Sequence, residues 1–113
     1  MTTIAWRIAH LAVGLAEANA SRFGGAPADV ENFNYAGTAE RALLQIDTAF
    51  AEWIDGVRNL GEGGLAAAQG STSPPEFADA PVVRVILFGS VEIIHHGAEV
   101  CLLRDLYAKR PLT

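Results

Sequence analysis

Three side chains able to bind a metal ion or move a proton stand together in the segment "SVEIIHHGAEV": Glu92, His95 and His96. Residues four apart share one face of a helix, so Glu92 and His96 can direct a carboxylate oxygen and an imidazole nitrogen toward one point. That is what two protein ligands of a divalent cation require. His95 is rotated from His96 by about 100° and is expected to turn toward a neighbouring helix or to stand behind the ligands. Glu99 lies close to the ligand stripe and can support it by hydrogen bonding to a ligand. A third protein ligand has to come from another helix, and His10 is the one histidine left in the chain. The same residues also fit blander roles. Glu92, His95 and His96 can form a solvated polar stripe or be satisfied by hydrogen bonds at a helix interface, and His10 can be a core histidine bonded to a carbonyl or carboxylate.

Other chemistries have less behind them. The "GEGG" at residues 61–64 follows a helical segment rather than a strand, so it reads as a helix stop and not as a phosphate loop. Ser90 precedes the histidines, but a nucleophile needs a base and an orienting group in defined geometry, which spacing alone does not give. Cys101 sits among Val100, Leu102 and Leu103, a setting for an inert packing thiol. Trp6, Phe50 and Trp53 are expected in the core rather than in a ligand-stacking cage.

The elements that have to position these residues are helices. A first helix is predicted from Thr3, as N-cap, to about residues 19–21. Ile4, Ile8, Leu11 and Leu15 make its apolar face, and Trp6, His10, Val13 and Glu17 an adjacent stripe. Gly24, Gly25 and Pro27 then open a loop. A second helix is predicted over residues 38–59, capped by Thr38, with Leu43, Ile46, Phe50, Trp53, Ile54 and Val57 apolar and Gly61 as its stop. From residue 61 to 81 the chain is rich in Gly, Ala, Ser and Pro and reads as a long loop with a short turn near residues 65–68. A third helix is predicted over residues 82–109, with Pro81 at its first turn and Pro111 beyond its end. The β-branched run from Val82 to Leu87 also permits a strand, although the period beyond it is helical. Three long helices bury their faces best when a fourth closes the bundle. Either the segment at residues 61–80 or a partner chain is expected to do so, and a homodimer is the expected assembly.

At 113 residues, 50% of them hydrophobic and 19% charged, the chain is expected to form one ordered domain spanning residues 1–113. The net charge of −5 and the lack of any Lys/Arg run disfavour nucleic acid as a partner. One cysteine forbids an intrachain disulfide and fits a reducing compartment. The opening apolar segment is interrupted by Arg7, His10 and Glu17 and has no basic stretch before it. Neither export nor a membrane span is expected, and the expected location is the cytoplasm.

The quoted segments also carry a family resemblance. "TIAWRIAHLAVGL" is similar to the second helix of the DinB-like metal-binding four-helix-bundle superfamily, where the histidine corresponding to His10 is a metal ligand. "AGTAERALLQIDTAFAEWIDGV" resembles the third helix, and "EIIHHGAEVCLLRDLY" the fourth, in the variant common among actinobacterial members. The resemblance implies an all-α, up-down bundle whose first helix would precede Thr3, so the sequence given is expected to lack that helix. It implies a metal site on His10, Glu92 and His96. Glu92 stands where many members have histidine, which makes the set two histidines and a carboxylate; zinc or nickel is expected first, with manganese or iron tolerated. Phe88 stands where related sequences often carry a polar group, so the site mouth is expected to be more apolar. The implied activity is metal-dependent S-transfer or isomerisation using a low-molecular-weight thiol of the mycothiol or bacillithiol type. The competing expectation is a non-catalytic, homodimerising helical module that retains the ligand residues without a complete pocket.

Overall fold

The computed structural model describes residues 3–112 and contains three long α-helices: α1, Ile4–Arg22; α2, Ala39–Ala66; and α3, Val82–Ala108. Two short 3-10 turns, Gly70–Thr72 and Pro75–Phe77, lie between α2 and α3. Among the described residues there is no strand longer than a single antiparallel bridge, Ala68 to Pro81. The all-α expectation therefore holds, and the run from Val82 to Leu87 is helical rather than extended.

Capping chemistry sets the starts of α1 and α2. The Thr3 hydroxyl accepts from the Trp6 amide at 3.0 Å, and that of Thr38 accepts from the Arg41 amide at 3.2 Å. Helix α1 ends where the Asn19 carbonyl accepts from both Phe23 and Gly25, with Gly24 between them at φ +69°. Helix α2 corrects the sequence expectation. Gly61 adopts φ +62° and breaks the helical run as a stop signal should, but the chain re-enters helix and continues to Ala66. Leu65 and Ala66 thus belong to a helix end rather than to a separate turn. The remaining connection folds back on itself, the Gln69 amide donating to Ala80 at 2.9 Å and the Val82 amide to Ala67 at 2.8 Å.

The best-packed region is where α1 crosses α2. Ala12, Val13, Leu15 and Asn19 of α1 are buried, as is Trp53 of α2. The Phe23 ring meets Trp53 edge-on at 5.3 Å and lies over Gly56, where any Cβ would overlap it. Asn19 ties the two helices by donating to the Ala49 carbonyl at 2.9 Å. Phe50 and Leu43 depart from expectation and remain substantially exposed on the far side of α2. Helix α3 packs more sparingly, with Val82 its one buried residue among those described. The molecule is long, 57 × 25 × 23 Å. The segment at residues 61–80 does not act as a fourth helix, because Leu87, Val91, Ile94 and Leu102 of α3 stay open to solvent.

Candidate metal centre

Helix α3 brings Glu92, His96 and Glu99 to its inner side because residues three and four apart recur on one face. Helix α1 runs past that side and presents Arg7 and His10. One ligand atom from each of His10, Glu92 and His96 can be chosen so that all lie within 4.8 Å of one another. Nε2 of His96 is 3.1 Å from a Glu92 oxygen. Donors bound to one small divalent cation at about 2.1 Å stand roughly 3.4 Å apart in tetrahedral geometry. The Glu92–His96 pair is near that spacing, and His10 joins the set within 4.8 Å. The donor types, two imidazoles and a carboxylate, suit a borderline divalent ion, so the residues fit such an ion.

The two imidazoles are each oriented by a neighbour. The His10 ring stacks on Trp6, one helical turn earlier, with centroids 5.0 Å apart and planes 7° from parallel. It meets His96 edge-on at 4.7 Å. Trp6 is therefore half exposed and serves as a platform for His10, contrary to the expectation of a core tryptophan. Nδ1 of His96 lies 2.7 Å from Oε1 of Glu99. With that nitrogen donating to Glu99, Nε2 is the ring nitrogen that faces Glu92, where it can donate to the carboxylate or, in the neutral ring, offer its lone pair to a cation.

Glu99 is itself held from α1. Nε and Nη2 of Arg7 donate to its Oε2 at 3.0 and 2.9 Å, and the Arg7 side chain is largely covered. The Arg7 hydrogen bond holds the Glu99 carboxyl below its usual range; partial burial opposes this, and the His96 hydrogen bond adds to it. Arg7, Glu99 and His96 thus form a chain running from α1 to the imidazole of His96. By sequence alone Arg7 is a break in an apolar segment. The available signal was its position three residues before His10, on the same side of α1.

His95 does not reach a neighbouring helix. It is mostly exposed and turns back along α3, with Nε2 3.3 Å from Oε1 of Glu99. Together with His96 and Glu99 it makes a second donor group that shares His96 with the first. Cys101 is exposed rather than packed in a core. The Ser90 hydroxyl donates to the Ile86 carbonyl at 2.9 Å, a bond within its own helix. Phe88 is two-thirds exposed.

The family model of the DinB superfamily matches residues 1–100. No curated protein and no solved structure gives a match.

Proposed function

The chain belongs to the DinB superfamily, and from this premise we propose that it binds one divalent metal ion through His10, Glu92 and His96 and uses it in thiol-transfer or isomerisation chemistry. The observation that carries the reading is the approach of these three donors to within 4.8 Å from two different helices. When bound, a divalent cation lowers the pKa of a coordinated thiol and so favours the thiolate nucleophile at neutral pH. The protein's own residues prepare the site. Glu99, anchored by Arg7, fixes the His96 ring so that Nε2 points inward. Trp6 fixes the plane of His10. His10 is exposed and Glu92 partly so, leaving solvent-side room for a substrate ligand beside three protein donors. Two imidazoles favour zinc or nickel, and the carboxylate admits manganese or iron. The thiol partner in this reading is a small one of the mycothiol or bacillithiol kind, and the setting is the cytoplasm.

The test is metal loading followed by desalting and elemental analysis. The wild-type protein should retain about one equivalent, His96→Ala none, and His95→Ala an intermediate amount. Equal metal content in wild type and His96→Ala would sink the proposal. A second reading, a non-catalytic interaction module that retains the ligand residues, draws on the exposed apolar face of α3. A protein with no measurable affinity for zinc, nickel, manganese or iron favours it.

A further inference from the structure

His96 stands between two carboxylates. Its Nε2 lies 3.1 Å from Glu92 and its Nδ1 2.7 Å from Oε1 of Glu99. Each carboxylate has a further histidine near it. His10 of α1 completes one group with Glu92; His95 completes the other, its Nε2 3.3 Å from the same Oε1 of Glu99. Two donor sets, each of two histidines and a carboxylate, thus meet in one imidazole. In both, one ligand atom per residue can be chosen so that all lie within 4.8 Å of one another.

The second set is built by local spacing. His95 and Glu99 are four residues apart and His96 and Glu99 three, so both rings reach the same carboxylate along one helix. Arg7 holds Oε2 of Glu99, whereas Oε1 is the oxygen that the two imidazoles face. The Arg7 hydrogen bond also keeps this carboxyl below its usual range, so at neutral pH Oε1 is an ionised donor. The His95 side chain is 63% exposed, which leaves one side of the group open to solvent.

We propose that His95, His96 and Glu99 form a second seat for a divalent cation, occupied in alternation with the seat made by His10, Glu92 and His96. The ion rests on Nε2 of His95, Nδ1 of His96 and Oε1 of Glu99. Alternation follows from the shared ring, because a neutral imidazole has one proton and one lone pair to offer. With the ion in the first seat, Nε2 of His96 coordinates and Nδ1–H donates to Glu99. With the ion in the second, the proton stands on Nε2 and donates to Glu92, and Nδ1 coordinates. The ring keeps its single proton in both states. Whichever carboxylate is not a ligand accepts the hydrogen bond that orients the ring. The second seat is the weaker one, since the Arg7 guanidinium on the other oxygen of its carboxylate repels a cation. The alternation rests on the metal reading of His10, Glu92 and His96; the second seat does not, because it uses neither His10 nor Glu92.

Calorimetric zinc titration at neutral pH separates the two seats. The wild type should bind one ion tightly. His10→Ala, which removes a ligand of the first seat alone, should still bind one ion, at least about tenfold more weakly. Adding His95→Ala should abolish that residual binding. Nitrogen-15 spectra of the histidine rings read the seat directly: zinc should sit on Nε2 of His96 in the wild type and on Nδ1 in His10→Ala. Glu92→Ala should behave as His10→Ala does, and takes its place if His10→Ala loses its helical circular dichroism. No zinc binding by either variant would overturn the second seat and leave the first standing. Residual binding indifferent to His95→Ala, or zinc on Nε2 of His96 in every protein, would overturn it as well. Full wild-type affinity in His10→Ala, abolished by His95→Ala, would instead remove the first seat and leave the second as the metal site of the chain.

Discussion

The two faces of α3 obey opposite rules. The face toward α1 carries Glu92, His96 and Glu99, each polar group within hydrogen-bonding distance of another side chain. The face toward solvent carries Leu87, Val91, Ile94 and Leu102, with no side of the described chain covering it. Ordinary amphipathic patterning puts the apolar stripe inside and the charges outside. Helix α3 is thus held both by apolar residues such as Val82, which is buried, and by ionisable groups that meet α1.

The largest effect expected from breaking this contrast lies where α3 does touch a packed core. Trp53 is buried, meets Phe23 edge-on, and lies 3.6 Å from the point a Cβ on Gly89 of α3 would occupy. Trp53→Ala should cost about 3–5 kcal/mol in chemical denaturation. A loss under 1 kcal/mol would mean that the α1–α2 crossing is not the stabilising core.

The next effect sharpens the inner face. Arg7 reaches His96 through Glu99, to which its Nε and Nη2 both donate. Arg7→Ala should lower metal affinity about 10–100-fold, and Arg7→Lys should restore part of the loss, since lysine keeps the charge but not the forked donors. Calorimetric titration with zinc reads both variants. Wild-type affinity in Arg7→Ala would remove the chain from Arg7 to His96 from the account of the site.

A smaller effect is expected on the outer face. Leu87→Ala, studied at concentrations low enough to hold a single chain, should change unfolding stability by no more than about 0.5 kcal/mol, because its side chain buries little there. A loss of 2 kcal/mol in that regime would place Leu87 in an intrachain core.

These contrasts also mark what the amino-acid sequence made legible. The three helices, the Thr3 and Thr38 caps and the inward convergence of Glu92 with His96 follow from short-range rules of spacing and capping, which operate within a turn or two of chain. The meeting of α1 with α3 at His10 was an implication of family resemblance, since nothing local in "WRIAHL" specifies a partner helix. Trp6, Phe50 and Cys101 were misplaced for one physical reason. Hydrophobicity states that a side chain prefers burial, not that a three-helix chain has enough neighbours to bury it. Gly61 failed as a stop because a positive φ ends one hydrogen-bonded run without preventing another from starting at the next residue.

The smallest expected effect is the pH dependence of the contact between α1 and α3. The Arg7 hydrogen bond holds the Glu99 carboxyl below the usual glutamate value. A carboxylate whose pKa is depressed on folding contributes stability that is fully present above its unfolded pKa, about 4.3, and is lost as pH falls through the lower folded value. The metal-free protein, kept so by a chelator, should therefore lose an increment of stability on acidification from about pH 5 toward pH 3. In Glu99→Gln the ionising group is gone, so that increment should vanish from the acid limb while stability near neutrality falls slightly. Asp29 provides the control. Its carboxyl is also held low, but by donors from Asn32 and Glu31 within its own turn. Asp29→Asn should consequently leave the acid dependence of the α1–α3 contact, followed by the Trp6 fluorescence of a Trp53→Phe variant, unchanged. Identical acid profiles for that reporter with and without Glu99→Gln would show that the Arg7–Glu99 bridge does not hold the two helices together.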